Sequence, residues 1–240
     1  MHIKQLLTLS VTSLIACSAS YAATDLSPNQ AMNQIRKDHP NLITVNRAGN
    51  IHKILDKELA TGRTPRATAE NFIYAFSTAL DVDANAFVER GPFPDKHTHQ
   101  DFMYNQETGQ HKFTGVYYMQ TANGLPVYDS RLMVLVRNVQ DYPAVSVTTV
   151  LKDVKGFKSP RRLVASEAVA LMAAATHLGR GATVSQPELM VFAGTGSEHH
   201  EPVAVLVFEA TVGGSWDFDN YKKFELIVDA QTGEVLHEVN

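Results

Sequence analysis

Residues 113–137 read FTGVYYMQTANGLPVYDSRLMVLVR, and their pattern decides the fold. Residues 116–120 are rich in β-branched, aromatic and other apolar side chains, which suit a pleated strand. Asn123-Gly124 is a tight-turn pair, because both central residues of a type I′ turn need positive φ and Asn and Gly tolerate it. Residues 125–136 form a second apolar, strand-like run. The pattern predicts a β-hairpin whose return strand is too apolar to face water on both sides. The flanking helices are the candidates to cover it.

Upstream, Ser27-Pro28-Asn29-Gln30 reads as a helix start, with Ser27 as cap, Pro28 at the first helical position and Gln30 closing a capping box. His39-Pro40 stops that helix, since the residue before proline avoids the α region. Residues 42–45 and 51–55 read as short extended pieces around Gly49-Asn50. Thr64-Pro65 starts a second helix. Its Phe72, Ile73, Phe76, Ala79 and Leu80 fall on one face, suited to covering the hairpin. Residues 91–95 read as a loop, residues 101–104 as a strand, Glu107-Thr108-Gly109 as a turn and residues 142–150 as a further β piece.

Residues 152–162, KDVKGFKSPRR, are basic and contain Gly156 and Pro160. Such a composition shift reads as a boundary between two domains. Beyond it, Ser166 caps an expected helix with Val169, Met172, Ala173 and Thr176 on its inner face and Gly179 as its stop. Strand-like runs follow at residues 189–192, 203–212 and 224–228. Residues 229–233 form a turn with Gly233 placed for a left-handed conformation, and residues 234–239 return as a last strand. Helix followed by antiparallel strands, in both halves, predicts an α+β class.

The chain has 240 residues and a formal net charge of −4, enough for one large domain or two small ones with cores of their own. No basic patch is dense enough to suggest nucleic acid, and beyond the first residues no apolar run reaches membrane-span length. Residues 1–22 read as a signal peptide: Lys4 as the positive start, residues 6–16 as a short apolar core, and Ser20-Tyr21-Ala22 before a cut at Ala23. The single cysteine, Cys17, has two readings. It is discarded with that segment, or Leu14-Ile15-Ala16-Cys17 is a lipobox whose cysteine carries a lipid anchor. Either way the expectation is an exported protein, periplasmic or secreted or lipid-anchored in the envelope. No disulfide framework is possible.

The run GVYYMQTANGLPVYDSRLMVLV resembles the core of the fungalysin/thermolysin propeptide domain, FTP. The residues carrying the likeness are Tyr117-Tyr118, Gln120-Thr121, Gly124-Leu125-Pro126-Val127 and the apolar strand at 132–136. The second half resembles a PepSY domain, through SEAVALMAAATHL and the closing VDAQTGEVL at 228–236, with Asp229 and Gly233 in the turn. The resemblance implies an FTP-like domain over 23–154 and a PepSY-like domain over 160–240. It also implies two cystatin-like units, each a helix packed on an antiparallel sheet. In secreted thermolysin-like and fungalysin-like peptidases such modules form the propeptide, which assists folding of the catalytic domain and inhibits it. No HExxH occurs in these 240 residues, so the zinc site of those enzymes cannot be built from them. The expectation is a non-catalytic protein, without cofactor, that inhibits or helps fold a secreted thermolysin-like zinc metallopeptidase in trans. Two rivals stand beside it: a general envelope binding module, and a remnant propeptide with no protease partner.

Candidate sites are few. His97, His99, His111, His199 and His200 are imidazoles without a Cys or Glu at a recognised zinc spacing, and read as solvated. Asp217, Asp219 and Asn220 lack the Gly and distal Glu of a calcium loop. Glu167 suits the positive end of its helix. Trp216 reads either as core or as an exposed anchor for a partner. By resemblance, Leu236, His237, Glu238, Val239 and Asn240 are the residues that approach a peptidase cleft. Leu236 or Val239 would enter an apolar subsite, and His237, Glu238 or the terminal carboxylate would approach the zinc. The alternative is that Val235, Leu236 and Val239 merely finish a sheet.

Overall fold

In the computed structural model, which describes residues 26–92, 97–160, 176, 182–196, 198–212 and 222–239, helix α1 spans Pro28–Asp38. It starts as its sequence dictates: Gln30 N donates to Ser27 Oγ at 3.4 Å and Ser27 N donates to Gln30 Oε1 at 2.9 Å, a reciprocal capping box. His39 is its C-cap. Strands β1 (Ile43–Arg47) and β2 (Asn50–Leu55) pair antiparallel around Ala48-Gly49. Helix α2 spans Pro65–Phe76 and is capped by the Thr64 hydroxyl, which accepts from Ala67 N at 3.1 Å.

Strands β3 (Phe87–Glu89), β4 (His99–Asn105), β5 (Gln110–Ala122), β6 (Leu125–Pro126), β7 (Arg131–Arg137) and β8 (Ala144–Val150) complete the first sheet with β1 and β2. Its order is β1-β2-β8-β7-β5-β3, with β4 and β6 also pairing β5. Hairpin β5–β7 is central, in register from Phe113↔Arg137 to Tyr118↔Leu132. One face carries Val116, Tyr118, Leu132, Val134, Val136, Val147 and Ile54. The periodic face of α2 (Phe72, Ile73, Phe76) packs on it, all of these buried. The Phe72 and Phe76 rings stack at 4.3 Å. Burying such a set of large apolar side chains, at roughly 1.5–3 kcal/mol each, is what fixes the helix on this face.

The return strand is not the continuous run over 125–136 that its hydropathy predicts. It breaks into β6 and β7, and residues 127–130 between them bend toward the second sheet, with Val127 N still donating to Gln120 O of β5 at 2.8 Å. Val127 forms a parallel bridge with Val191, and Tyr128 N donates to Val191 O at 2.8 Å. Asp129 then turns the chain at φ 53°, a left-handed position that Asp tolerates, and Ser130 hands it to β7.

Strands β9 (Ala182–Val184), β10 (Glu188–Phe192), β11 (Val203–Val212), β12 (Lys222–Asp229) and β13 (Val235–Val239) form the second antiparallel sheet, in order β10-β11-β12-β13 with β9 also on β11. The turn between β12 and β13 is set by Asp229. Its Oδ1 accepts from Gln231 N and Thr232 N, both at 2.7 Å, and Gly233 sits at φ 76°. This is an Asx-type turn closed by a left-handed glycine.

The expected class, α+β with two cystatin-like helix-on-sheet units, is overturned. Among the described residues about 45% are strand and 14% helix, so the described fold is mostly β. Both described helices belong to the first half and lie with the core of the first sheet. The core of the second sheet takes Val127 from the hairpin and Phe157 from the basic segment, alongside Val191, Leu206, Phe208, Leu226 and Val228. The physical reason is the broken return strand: it inserts its own apolar residues where a separate unit would have to supply them. Of the helix expected from Ser166, only Thr176 is among the described residues; it is helical but exposed, where an inner face was expected, and Ser166, Glu167 and Gly179 lie outside them. Among the described residues no helix is long and apolar enough to cross a membrane.

Candidate functional site

The hairpin tip, where the two sheets meet, is built from two local features and two contacts that reach more than thirty residues along the chain. Asn123 and Gly124 turn the chain at φ 50° and 80°. Pro126 pairs with Thr121 in β6. Asn123 Nδ2 donates to Phe157 O at 3.2 Å. Gln120, 3% exposed, uses its side-chain amide as a surrogate backbone. Its Nε2 donates to Lys152 O at 3.0 Å and its Oε1 accepts from Lys152 N at 2.9 Å. Its own N–H donates to Ser130 Oγ at 3.0 Å, and that hydroxyl donates to Val127 O at 2.8 Å. A Gln at this place answers two buried backbone groups that would otherwise stay unpaired.

Lys152 is the second fixture. Its side chain is only 4% exposed. Its Nζ donates to Asp129 Oδ2 at 2.9 Å and to Gly196 O at 3.1 Å, while Gly196 N donates to the same Asp129 oxygen at 3.0 Å.

A cleft of about 580 Å³ opens between the sheets, with Met119 and Arg131 on the first-sheet side and Met190, Val207, Glu209 and Glu225 on the second. Arg90, just after β3, reaches across it and makes a bidentate pair with Glu188 of β10, Nη2 to Oε2 at 2.6 Å. The hydrogen bond to Glu188 holds the Arg90 pKa above its ordinary value, against an opposing effect of burial. Glu209 and Glu225 are directly opposed on β11 and β12. Like charges so placed repel, and each has a separate partner. Lys223 lies 3.0 Å from Glu209, and the Tyr128 hydroxyl donates to Glu225 Oε2 at 2.5 Å. Burial, and then the Glu225 carboxylate, push the Tyr128 phenol well above its usual range. Burial does the same to Tyr118, whose hydroxyl is enclosed under α2 beside Glu89. Arg66 Nε stands 2.6 Å from Glu89.

The far end of the second sheet holds the residues singled out for peptidase contact. Strand β13 pairs only with β12 among the described residues, so it is an edge. Leu236, His237, Glu238 and Val239 are all half-buried. His237 lies opposite Ile227, and its ring stacks on Phe192 at 6.3 Å. His200 approaches the same ring at 5.2 Å. Leu236 sits at a register shift, and Leu236 and Val239 pack against Tyr128, Met190, Phe192, Val205 and Ile227. Both are therefore partly engaged in the sheet's own core. Asn240 and Trp216 lie outside the described residues, as do Asp217, Asp219 and Asn220.

The other histidines do not converge. His111 Nδ1 lies 3.8 Å from Asp101, His99 Nδ1 meets the Thr98 hydroxyl at 2.9 Å, and His200 Nδ1 contacts Glu201 O at 2.6 Å. Among the described residues no three His, Cys, Asp or Glu side chains form a group able to hold a metal.

Sequence reasoning missed Arg90, Lys152, Tyr128 and Glu225. The signal available for Tyr128 and Asp129 was the polar Asp-Ser pair interrupting an apolar run. The pairings of Arg90 and Lys152 link residues far apart in the chain and leave no local signal. No family model matches this chain, and no curated protein matches it.

Proposed function

We propose that this chain is an exported, non-catalytic, propeptide-like protein. It inhibits a secreted thermolysin-like zinc metallopeptidase in trans, or assists that enzyme's folding. The observation that carries the reading is the ordered pair of motifs, Gln120-Thr121 with Gly124-Leu125-Pro126-Val127 and then residues 228–236, which resembles the FTP and PepSY modules of such propeptides. The arrangement of surfaces supports it. Helix α2 packs on one face of the first sheet. The opposite face carries Ile43 and Val45, both exposed, together with half-buried Leu55, Met133 and Leu135. That face runs through Met119 and Arg131 into the cleft and on to the second sheet. Inhibition by occlusion needs a broad apolar and hydrogen-bonding surface of this kind rather than reactive groups. A folding role would come from binding the native-like enzyme better than its unfolded chain.

The decisive experiment incubates purified protein lacking residues 1–22 with a thermolysin-like peptidase. It measures residual activity and, separately, the refolding yield of the denatured enzyme. The expected outcome is a dose-dependent loss of activity, a raised yield, or both. No effect on either across several such enzymes sinks the reading. The cleft favours a second reading, a general envelope binding module, which predicts retention of a small ligand or peptide with no effect on any peptidase.

A further inference from the structure

We infer that the hairpin tip couples the two sheets into one cooperative unit, with Lys152 as its ionic pin. Three independent kinds of contact converge there. The first is apolar: Val127, fully buried, is a core residue of the second sheet although it belongs to the hairpin of the first, and Ala122, Leu125 and Val154 pack beside it. The second is backbone pairing, through the Val127–Val191 bridge and the Tyr128 to Val191 hydrogen bond. The third is charge. Lys152 follows the last strand of the first sheet, Asp129 lies in the crossover, and Gly196 follows β10 of the second sheet. One buried ammonium and one carboxylate tie all three together. Across the cleft the Arg90–Glu188 fork makes a further link. A charge buried as deeply as Lys152 is held only while its partner is in place, since an unpaired buried ammonium is strongly unfavourable. Separating the sheets would uncover Val127 and strand that charge in the same event. Opening of one sheet therefore opens the other. The surface that spans the cleft is consequently presented as a single preformed piece, with little ordering left to be done on binding.

Hydrogen exchange of the full-length protein tests this, because slow amides report the free energy of the opening that exposes them. Val134→Ala lies deep in the first sheet, away from the junction, and Ile54→Val is the milder substitution should the first not fold. Coupling predicts that the slowest amides of β11 and β12 accelerate by the same factor as those of β7, about tenfold or more for Val134→Ala. Wild-type rates in β11 and β12 alongside faster exchange in β7 overturn the inference. Asp129→Asn, which leaves Lys152 without its counter-charge, accelerates both sheets. Lys223→Met, which removes an exposed ion pair inside the second sheet, leaves both near wild type. Equal small effects of Asp129→Asn and Lys223→Met would remove Lys152 from the role of pin.

Discussion

The Tyr128 hydroxyl donates to Glu225 where burial disfavours the phenolate and the neighbouring carboxylate repels it. Tyr118 and Tyr117 are raised as well, chiefly by burial. A raised folded-state pKa favours the protonated form in the folded protein. The stability this contributes is fully present below the ordinary tyrosine value near 10 and is lost as pH climbs above it, toward the folded values. Urea midpoints should therefore hold steady up to about pH 10 on this account and fall beyond it, and Tyr128→Phe should flatten that fall. An unchanged alkaline slope in the variant would show that Tyr128 titrates no differently when folded. Gln120 makes the other residue-scale prediction. Gln120→Leu keeps the bulk but orphans the N–H and C=O of Lys152, each costing about 1–3 kcal/mol when buried. The midpoint of denaturant unfolding should drop by the equivalent of about 2–6 kcal/mol, far more than an ordinary surface substitution.

At the level of elements, several local rules held among the described residues, where the partners lie within a few residues. The Ser27–Gln30 box, the Thr64 cap, the amphipathic face of α2 and the Asn123-Gly124 turn are each written in adjacent positions, and each forms. Gly124 at φ 80° is the sharpest of these. Gly124→Ala adds a Cβ at a left-handed position, which costs about 1–2 kcal/mol. A lowered melting temperature with no change in circular-dichroism shape is the expected result, since Gly124 has open space around its missing side chain. The elements that escaped sequence reading are β3, only three residues long, and β9, another three. Strands that short carry almost no period-two pattern. The split of the return strand into β6 and β7 was hidden for the opposite reason. Val127 and Tyr128 are as apolar as a strand should be, but they are apolar for a different sheet.

For the whole molecule, the edge strand β13 sets how the proposed inhibition is to be probed. Deleting residues 237–240 would strip three of the pairings on β12, those of Ile227, Leu226 and Glu225, and confound loss of contact with loss of fold. Single truncations are the cleaner test. If the end of β13 meets a peptidase, His237→Ala and Glu238→Ala should each weaken inhibition by about tenfold, the size of a genuine interface contact. The melting temperature should move little. Tight inhibition retained by both variants would place the working surface elsewhere, with the open face of the first sheet and the cleft next in line.

The sequence by itself determined the longer strands and their turns, the two described helices with their caps, and the hairpin at the centre of the first sheet, though not β3, β9 or the break between β6 and β7. These depend on φ preferences, capping and hydrophobic period, all properties of neighbouring residues. Tertiary structure alone decided that the fold is mostly β, that Val127 and Phe157 belong to the core of the second sheet, and that Lys152, Asp129, Arg90 and Glu188 bridge the two sheets. Each of those outcomes joins residues dozens of positions apart. A buried charge or a valine at such a junction looks, in one dimension, no different from a solvated lysine or an ordinary strand residue.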